Sequence, residues 1–407
     1  MLDAYWLEWF NLVVRWLHLI TGIAWIGASL HFVWLDNSLE EPTDSGKRDG
    51  VKGELWSIHG GGIYNFRKFN LAPPSWPSIL HWSKWEAYST WITGTLLLVG
   101  VYYFQAQAYL VGADKLISDP YVAVLASIGY LGIGLGLYEL LVRSPVRHRV
   151  IMFPGVVAVF IAAQCWLATM LFSDRAAFIH VGALMGTIMA GNVFLGIIPA
   201  QKKFVAAVQS GNPPDEEAAL FAKQRSTHNN YFTLPVLFCM ISIHYPFLYG
   251  HPFNWVILIS IIAITSYARH FFNLRHRGVV NYWILGRAVS AFLLLALWLG
   301  HQQYSRGNDT EQISEKAMEK NSLPVSDEAA YHMIHIHCAG CHAAQPVYPG
   351  FFAPPAGVLM DTRDSIRNSL ARSIPAVSTK YMPLGNVTGM TSEERVDLLD
   401  WMEDQAR

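Results

Sequence analysis

Residues 151–199 read IMFPGVVAVFIAAQCWLATMLFSDRAAFIHVGALMGTIMAGNVFLGIIP, two apolar runs parted by Ser173-Asp174-Arg175. About 20 consecutive apolar residues carry an α-helix across bilayer hydrocarbon, so 151–172 and 176–199 each read as a span. Working outward, comparable runs lie near 9–35, 86–105, 120–142, 231–250, 253–272 and 282–301, which makes about eight. Composition agrees: of 407 residues, 52% are hydrophobic and 14% charged, where soluble domains carry roughly 25% charged residues. Aromatic residues at 13% suit membrane interfaces. A net charge of −1 gives no electrostatic case for a nucleic-acid partner, and the hydrophobicity excludes low-complexity disorder. The expected class is all-α, a polytopic membrane bundle in contact with lipid.

Loop charges orient it. Connections after the first, third, fifth and seventh runs hold Lys47, Arg48, Lys52, Arg67, Lys68 and Lys84, then Arg143, Arg147 and Arg149, then Lys202, Lys203, Lys223 and Arg225, then Arg275 and Arg277. The opposite side offers Lys115, Arg175 and Arg306. The positive-inside rule therefore puts both termini outside the cytoplasm, periplasmic in a bacterial-type inner membrane. No basic stretch precedes the first run, and Asp3 and Glu8 are acidic, so it is expected to be retained rather than cleaved as a signal.

The composition changes after residue 301. Residues 1–301 form the membrane domain, 302–326 a polar linker, and 327–407 a small soluble module ending in a helix over Ser392–Gln405, capped by Thr391 or Ser392. This module contains Cys338-Ala339-Gly340-Cys341-His342. Two thiols at C-x-x-C spacing suit thioether bonds to both haem vinyl groups, and the adjacent His suits the proximal iron position. A thioredoxin-like pair or half of a zinc site needs no such His. The sixth ligand is expected at Met382, in Lys380-Tyr381-Met382-Pro383, with Met360 and Met390 as competitors. Attachment helix, loop, Met-Pro and closing helix resemble a class I cytochrome c with covalent haem c. Haem c is attached outside the cytoplasm, where the charges place residue 407.

Histidines recur in the spans: His18, His31, His180, His244, His270 and His301. Neutral imidazole is a common axial ligand of membrane b haem, and His18 with His180 or His244 is the expected set, all toward the outer side. Glu86, Glu139, Arg269 and Arg287 lie toward the cytoplasmic half. Beside them runs Gly53-Glu54-Leu55-Trp56-Ser57-Ile58-His59-Gly60-Gly61-Gly62-Ile63-Tyr64-Asn65-Phe66-Arg67-Lys68. Its glycines permit close approach of backbone to a ligand, and Trp56, His59, Tyr64 and Arg67 are suited to a flat anion. A flexible interfacial loop is the plainer reading. Asn212-Pro213-Pro214-Asp215-Glu216-Glu217 is a helix-start signal.

The segment Arg15-Trp16-Leu17-His18-Leu19-Ile20-Thr21-Gly22-Ile23-Ala24-Trp25-Ile26-Gly27, the Glu54–Gly62 stretch, the spans and the terminal C-x-x-C-H module together resemble the membrane-bound urate oxidase family with a fused cytochrome c. The resemblance implies oxidation of urate to 5-hydroxyisourate, with electrons leaving through haem c on Cys338, Cys341, His342 and Met382 to a downstream cytochrome c or terminal oxidase. The expected urate site lies in the cytoplasmic half: Arg67, Arg269 or Arg287 forking to the anion, Trp56 or Tyr64 stacking, and His59 or Glu139 accepting a proton. Glu139 also reads as a salt partner of such an Arg. The alternative function is a quinol–cytochrome electron-transfer subunit without purine chemistry.

Overall fold

The computed structural model describes residues 2–112, 115–275, 278–319, 325–348, 351 and 354–406. The membrane half comprises α1 (Leu2–Asn37), strands β1 (Val51–His59) and β2 (Gly62–Phe69), α2 (Trp85–Leu97), α3 (Pro120–Arg143) and α4 (Met152–Leu171). It continues with α5 (Asp174–Gly191), α6 (Ile198–Gln209), α7 (Glu216–Ile241), α8 (Asn254–Arg275) and α9 (Tyr282–Glu319). The C-terminal module holds α10 (Asp327–Ile334), α11 (Arg363–Ser378) and α12 (Ser392–Gln405).

Among the described residues six helices are long and apolar enough to cross a membrane: Trp9–Asn37, Pro120–Arg143, Met152–Leu171, Asp174–Gln209, Asn254–Arg275 and Tyr282–His301. The other two expected runs are helical without forming one regular apolar rod. Run 86–105 becomes α2 and then a wider π-helical stretch, Leu98–Tyr103. Run 231–250 is the apolar end of α7, whose first turns are polar, and it closes in a tight turn at Ser242–His244 ahead of Pro246. Helix starts follow local chemistry. Asp119 accepts from the Tyr121 and Val122 amides at 2.9 Å before Pro120, and Asp215 accepts from Ala218 N at 3.0 Å ahead of Glu216 and Glu217.

Helix α5 is central. Of the apolar stretch in Asp174–Gln209, 61% is buried in the protein, against 6% for α1. Phe178, Val181, Leu184, Met185 and Ile188 are fully buried among α3, α4 and α7. Trp16, Leu19 and Ile23 of α1 are exposed, as lipid-facing side chains of a multi-pass membrane protein would be. The rod from Asp174 to Gln209 spans about 54 Å at 1.5 Å per residue, more than the roughly 30 Å of hydrocarbon, so its polar α6 end must emerge.

The class is all-α as expected, but the Gly60–Gly62 stretch is more ordered than the loop expected there. It is the tip of an antiparallel hairpin pairing Glu54 with Arg67 and His59 with Gly62. Gly60 and Gly61 turn the chain at φ of 57° and 80°, the left-handed geometry that a two-residue hairpin turn requires. The linker differs too: α9 runs on to Glu319, while residues 320–324 lie outside the described residues, as does Arg277.

The C-terminal module is closed by α10 against α12. Tyr331 meets Trp401 edge-on at 5.3 Å, Trp401 Nε1 donates to Asp327 at 3.0 Å, and Ala330, Ile334, Leu398 and Met402 are buried. Thr391 caps α12: Glu394 N donates to Thr391 Oγ1 at 3.1 Å, and Thr391 N donates to Glu394 Oε2 at 2.8 Å. The module rests on the helix ends opposite the basic loops. Tyr109 packs on Phe351 and Tyr249 on Tyr381, with centroids 6.0 and 6.1 Å apart. A side-chain carbon added at Gly250 would sit 2.9 Å from the Thr379 carbonyl. Gly250→Val should therefore loosen this contact. Hydrogen exchange across residues 379–386 should accelerate at least several-fold, while exchange in α3 and α5 stays unchanged.

Candidate functional site

A cleft in the C-terminal module collects Cys341, His342 and Met382 on its walls, together with Pro355, Pro383 and Val387. The C-x-x-C-H sequence lies where α10 gives way to a π-helical turn, His335–Ala339, followed by a last helical turn at Gly340–His342. His342 Nδ1 lies 3.0 Å from the Val358 carbonyl. As donor to that carbonyl it leaves Nε2 as the nitrogen available for coordination. Burial pushes the Cys338 thiol up to about 12 and the Cys341 thiol to about 11, and it lowers His342, so at neutral pH the thiols are protonated and the imidazole is neutral. Met360 is buried in the module core and Met390 lines a neighbouring cavity, which leaves Met382 as the thioether in the cleft. Arg395, absent from the sequence-based candidates, donates from Nη1 to the carbonyls of Val377 at 2.8 Å and Met382 at 2.5 Å. It thereby holds the Met382 loop on α12. The membrane half closes the cleft with Ala108, Tyr109 and Arg175.

A buried polar cluster occupies the inner ends of α3, α5 and α7. Arg225 is fully buried and grips Glu139 with two bonds, Nη1–Oε1 at 2.5 Å and Nη2–Oε2 at 2.7 Å. Its Nη1 also donates to Asn192 Oδ1 at 3.2 Å, and Phe221 lies 4.5 Å beneath the guanidinium. Asn192 Nδ2 donates to Asn229 Oδ1 at 2.8 Å and to Tyr138 Oη at 3.1 Å, and Tyr138 Oη pairs with His228 Nδ1 at 2.7 Å. The close approach requires Gly196: a carbon added there would fall 2.2 Å from Arg225 Cδ. The charge count treats Arg225 as a solvated loop cation, and the structure corrects this. The signal was present, since Arg225, His228 and Asn229 at i, i+3 and i+4 share one helix face.

The residues proposed for a cytoplasmic anion site do not converge. His59, Trp56 and Tyr64 are exposed on the hairpin. Arg67 faces Glu54 at 3.5 Å and donates to Asn65 at 2.9 Å. Glu139 is committed to Arg225 and to Arg143 Nε at 2.9 Å, so it serves as a salt partner. Arg269 is buried with its Nε on Asn230, and Arg287 is exposed. The candidate haem b histidines His18 and His180 each make their own contacts with other protein groups. His18 Nδ1 lies 3.1 Å from both the Thr90 carbonyl and Thr93 Oγ1, joining α1 to α2. Buried His180 has both nitrogens engaged, Nδ1 with the Ala176 carbonyl and Nε2 with Ser127 Oγ, each at 2.7 Å. His244 is exposed at the outer end of α7. With both nitrogens occupied, His180 does not fit an axial ligand.

These features define a helical, multi-pass membrane protein whose C-terminal module carries a Cys/His/Met cleft. The chain matches the family Urate oxidase N-terminal over residues 4–300, which is most of its length, and it belongs to that family. No curated protein and no solved structure matches it. Family membership points to an oxidoreductase with urate as substrate.

Removing one partner of a buried ion pair costs about 3–5 kcal/mol, because it strands the other charge. Glu139→Gln should therefore lower the thermal unfolding midpoint in detergent sharply. Glu139→Gln combined with Arg225→Met should recover most of the loss. A single variant as stable as wild type would remove the pair from this structural role.

Proposed function

We propose that the protein oxidises urate to 5-hydroxyisourate and passes the electrons through a covalently held haem c to a downstream cytochrome c or terminal oxidase. It is read as sitting in a bacterial-type inner membrane with about eight helical crossings and periplasmic termini. The observation that carries the reading is the docking of the Cys341/His342/Met382 cleft against the membrane half, whose Tyr109 and Arg175 complete its wall. Family membership supplies the substrate.

The residues suit haem c. Cys338 and Cys341 are free thiols one helical turn apart, His342 is oriented by the Val358 carbonyl, and Met382 faces the same cleft. When bound, haem c supplies a one-electron acceptor whose potential a thioether ligand raises. Around it this chain's residues perform defined tasks. Val358 fixes the proximal tautomer, Arg395 steadies the Met382 loop, and Tyr109 and Arg175 exclude water from the edge that faces the membrane half. The overall reaction balances as urate plus water giving 5-hydroxyisourate, two protons and two electrons. One urate therefore serves two single-electron transfers.

Anaerobic titration of the oxidised holoprotein with urate tests this reading. The reduced α-band should rise to completion at half a urate per haem, with 5-hydroxyisourate as product. A haem that urate leaves oxidised, but that a quinol reduces, would favour the electron-transfer alternative. Met382→Ala should retain covalent haem on a denaturing gel while its potential falls, whereas Cys338→Ser with Cys341→Ser should lose it.

A further inference from the structure

A cavity of about 330 Å³ lies between the two halves of the molecule, within the usual size range of small-molecule sites. Tyr109, Arg175 and Tyr249 wall it from the membrane half, and Lys380, Tyr381 and Asn386 from the C-terminal module. It shares Tyr109, Arg175, Tyr381 and Leu384 with the Cys341/His342/Met382 cleft, so the two spaces are neighbours through a common wall. Three phenol rings give it flat apolar surfaces, and Tyr249 and Tyr381 meet at 66°.

Its charge is lopsided. Lys115, Arg175, Lys380 and Arg395 line it against the carboxylate of Asp174, among the described residues. Asp174 already accepts from Lys115 Nζ at 2.7 Å and from Asn254 Nδ2 at 2.9 Å. Arg395 is occupied by two carbonyls. Arg175 differs: its guanidinium lies 5.3 Å from the centre of the Tyr109 ring, and its buried Nε meets no hydrogen-bond acceptor among the described residues. A buried charged donor without an acceptor is costly, so the site is built for an anion that brings one.

We propose that this cavity binds urate as a planar purine anion, with Arg175 donating to its carbonyl and amide edge and the tyrosine rings forming flat walls. The proposal rests on the urate-oxidising reading above and deepens it by naming the substrate site. It moves that site from the cytoplasmic half to the outer face. At the inner end the buried cations are already held by the protein: both Nη atoms of Arg225 are bound by Glu139, only its Nε lacking an acceptor, and Arg269 is bound by Asn230. What the outer cavity adds is open space: there the unpartnered Arg175 Nε lies among flat walls, whereas Arg225 is fully buried against Glu139. The position also shortens the electron path: a cytoplasmic site would need carriage across roughly 30 Å of hydrocarbon, whereas here substrate and cleft share a wall.

Binding is separable from turnover in the dithionite-reduced holoprotein, which has no oxidised acceptor. Equilibrium dialysis with radiolabelled urate should show saturable binding. Arg175→Gln should weaken it at least about tenfold, the loss expected for charged hydrogen bonds, with Arg175→Lys intermediate and haem content unchanged. Lys380 is exposed at the rim, so Lys380→Glu should fold normally and also weaken binding. In sealed right-side-out vesicles, external urate should reduce the haem. Wild-type affinity in both Arg175→Gln and Lys380→Glu overturns the proposal, as does haem reduction by urate from the cytoplasmic face only. An altered haem potential in Arg175→Gln at unchanged urate affinity would assign the guanidinium to the haem carboxylates and overturn it equally. Saturable binding without haem reduction from either face would refute the urate-oxidising reading while leaving the site standing, and no binding by wild type refutes the site.

Discussion

Arg225 is a fully buried guanidinium, and a buried charge is tolerable only with a partner held in good geometry. The two-bond grip on Glu139 supplies that partner and ties α7 to α3. Asn192, at the π-helical widening between α5 and α6, adds the third side. The missing side chain at Gly196 lets the guanidinium lie against the helix backbone. One charge thus fixes the relative height of three helices at the inner end. In a membrane, where apolar burial gives little drive for helix association, such packing and hydrogen bonding carry much of the specificity.

With the inner ends fixed, the outer ends become a platform. The segments around Tyr109, Arg175 and Tyr249 come together from the ends of α2, α5 and α7, and the C-terminal module sits on them through aromatic pairs. The platform has a chemical role as well as a mechanical one. It provides part of the wall of the Cys/His/Met cleft and part of the adjoining cavity, so neither space is complete in one half alone.

The two ends of the bundle differ in how their polar groups are satisfied. Inside, carboxylate, amide and hydroxyl groups bind one another across Glu139, Arg225, Asn192, Asn229, Tyr138 and His228, only the Arg225 Nε lacking an acceptor, which favours rigidity. Outside, aromatic walls surround cations that outnumber the carboxylate among the described residues. A network closed on itself holds a shape.

Much of the architecture was legible in local sequence because its causes are local. Apolar runs longer than the hydrocarbon thickness, Asp119 before Pro120, Asp215 before Glu216 and Glu217, and Thr391 before Glu394 each specify helices within a few residues. The Cys338–His342 motif marks a cleft because two thiols and an imidazole on adjacent turns are already close. Gly60-Gly61 carries a hairpin turn signal, but the pairing of Val51–His59 with Gly62–Phe69 that completes it is set by the structure. Arg225 looked like a loop cation because counting charges cannot see a partner 86 residues away. The cavity was beyond sequence altogether: Tyr109, Arg175, Tyr249 and Tyr381 belong to four distant segments, and only docking of the module decides that they enclose one space. Local chemistry wrote the helices, and long-range packing decided which charges found partners within the protein.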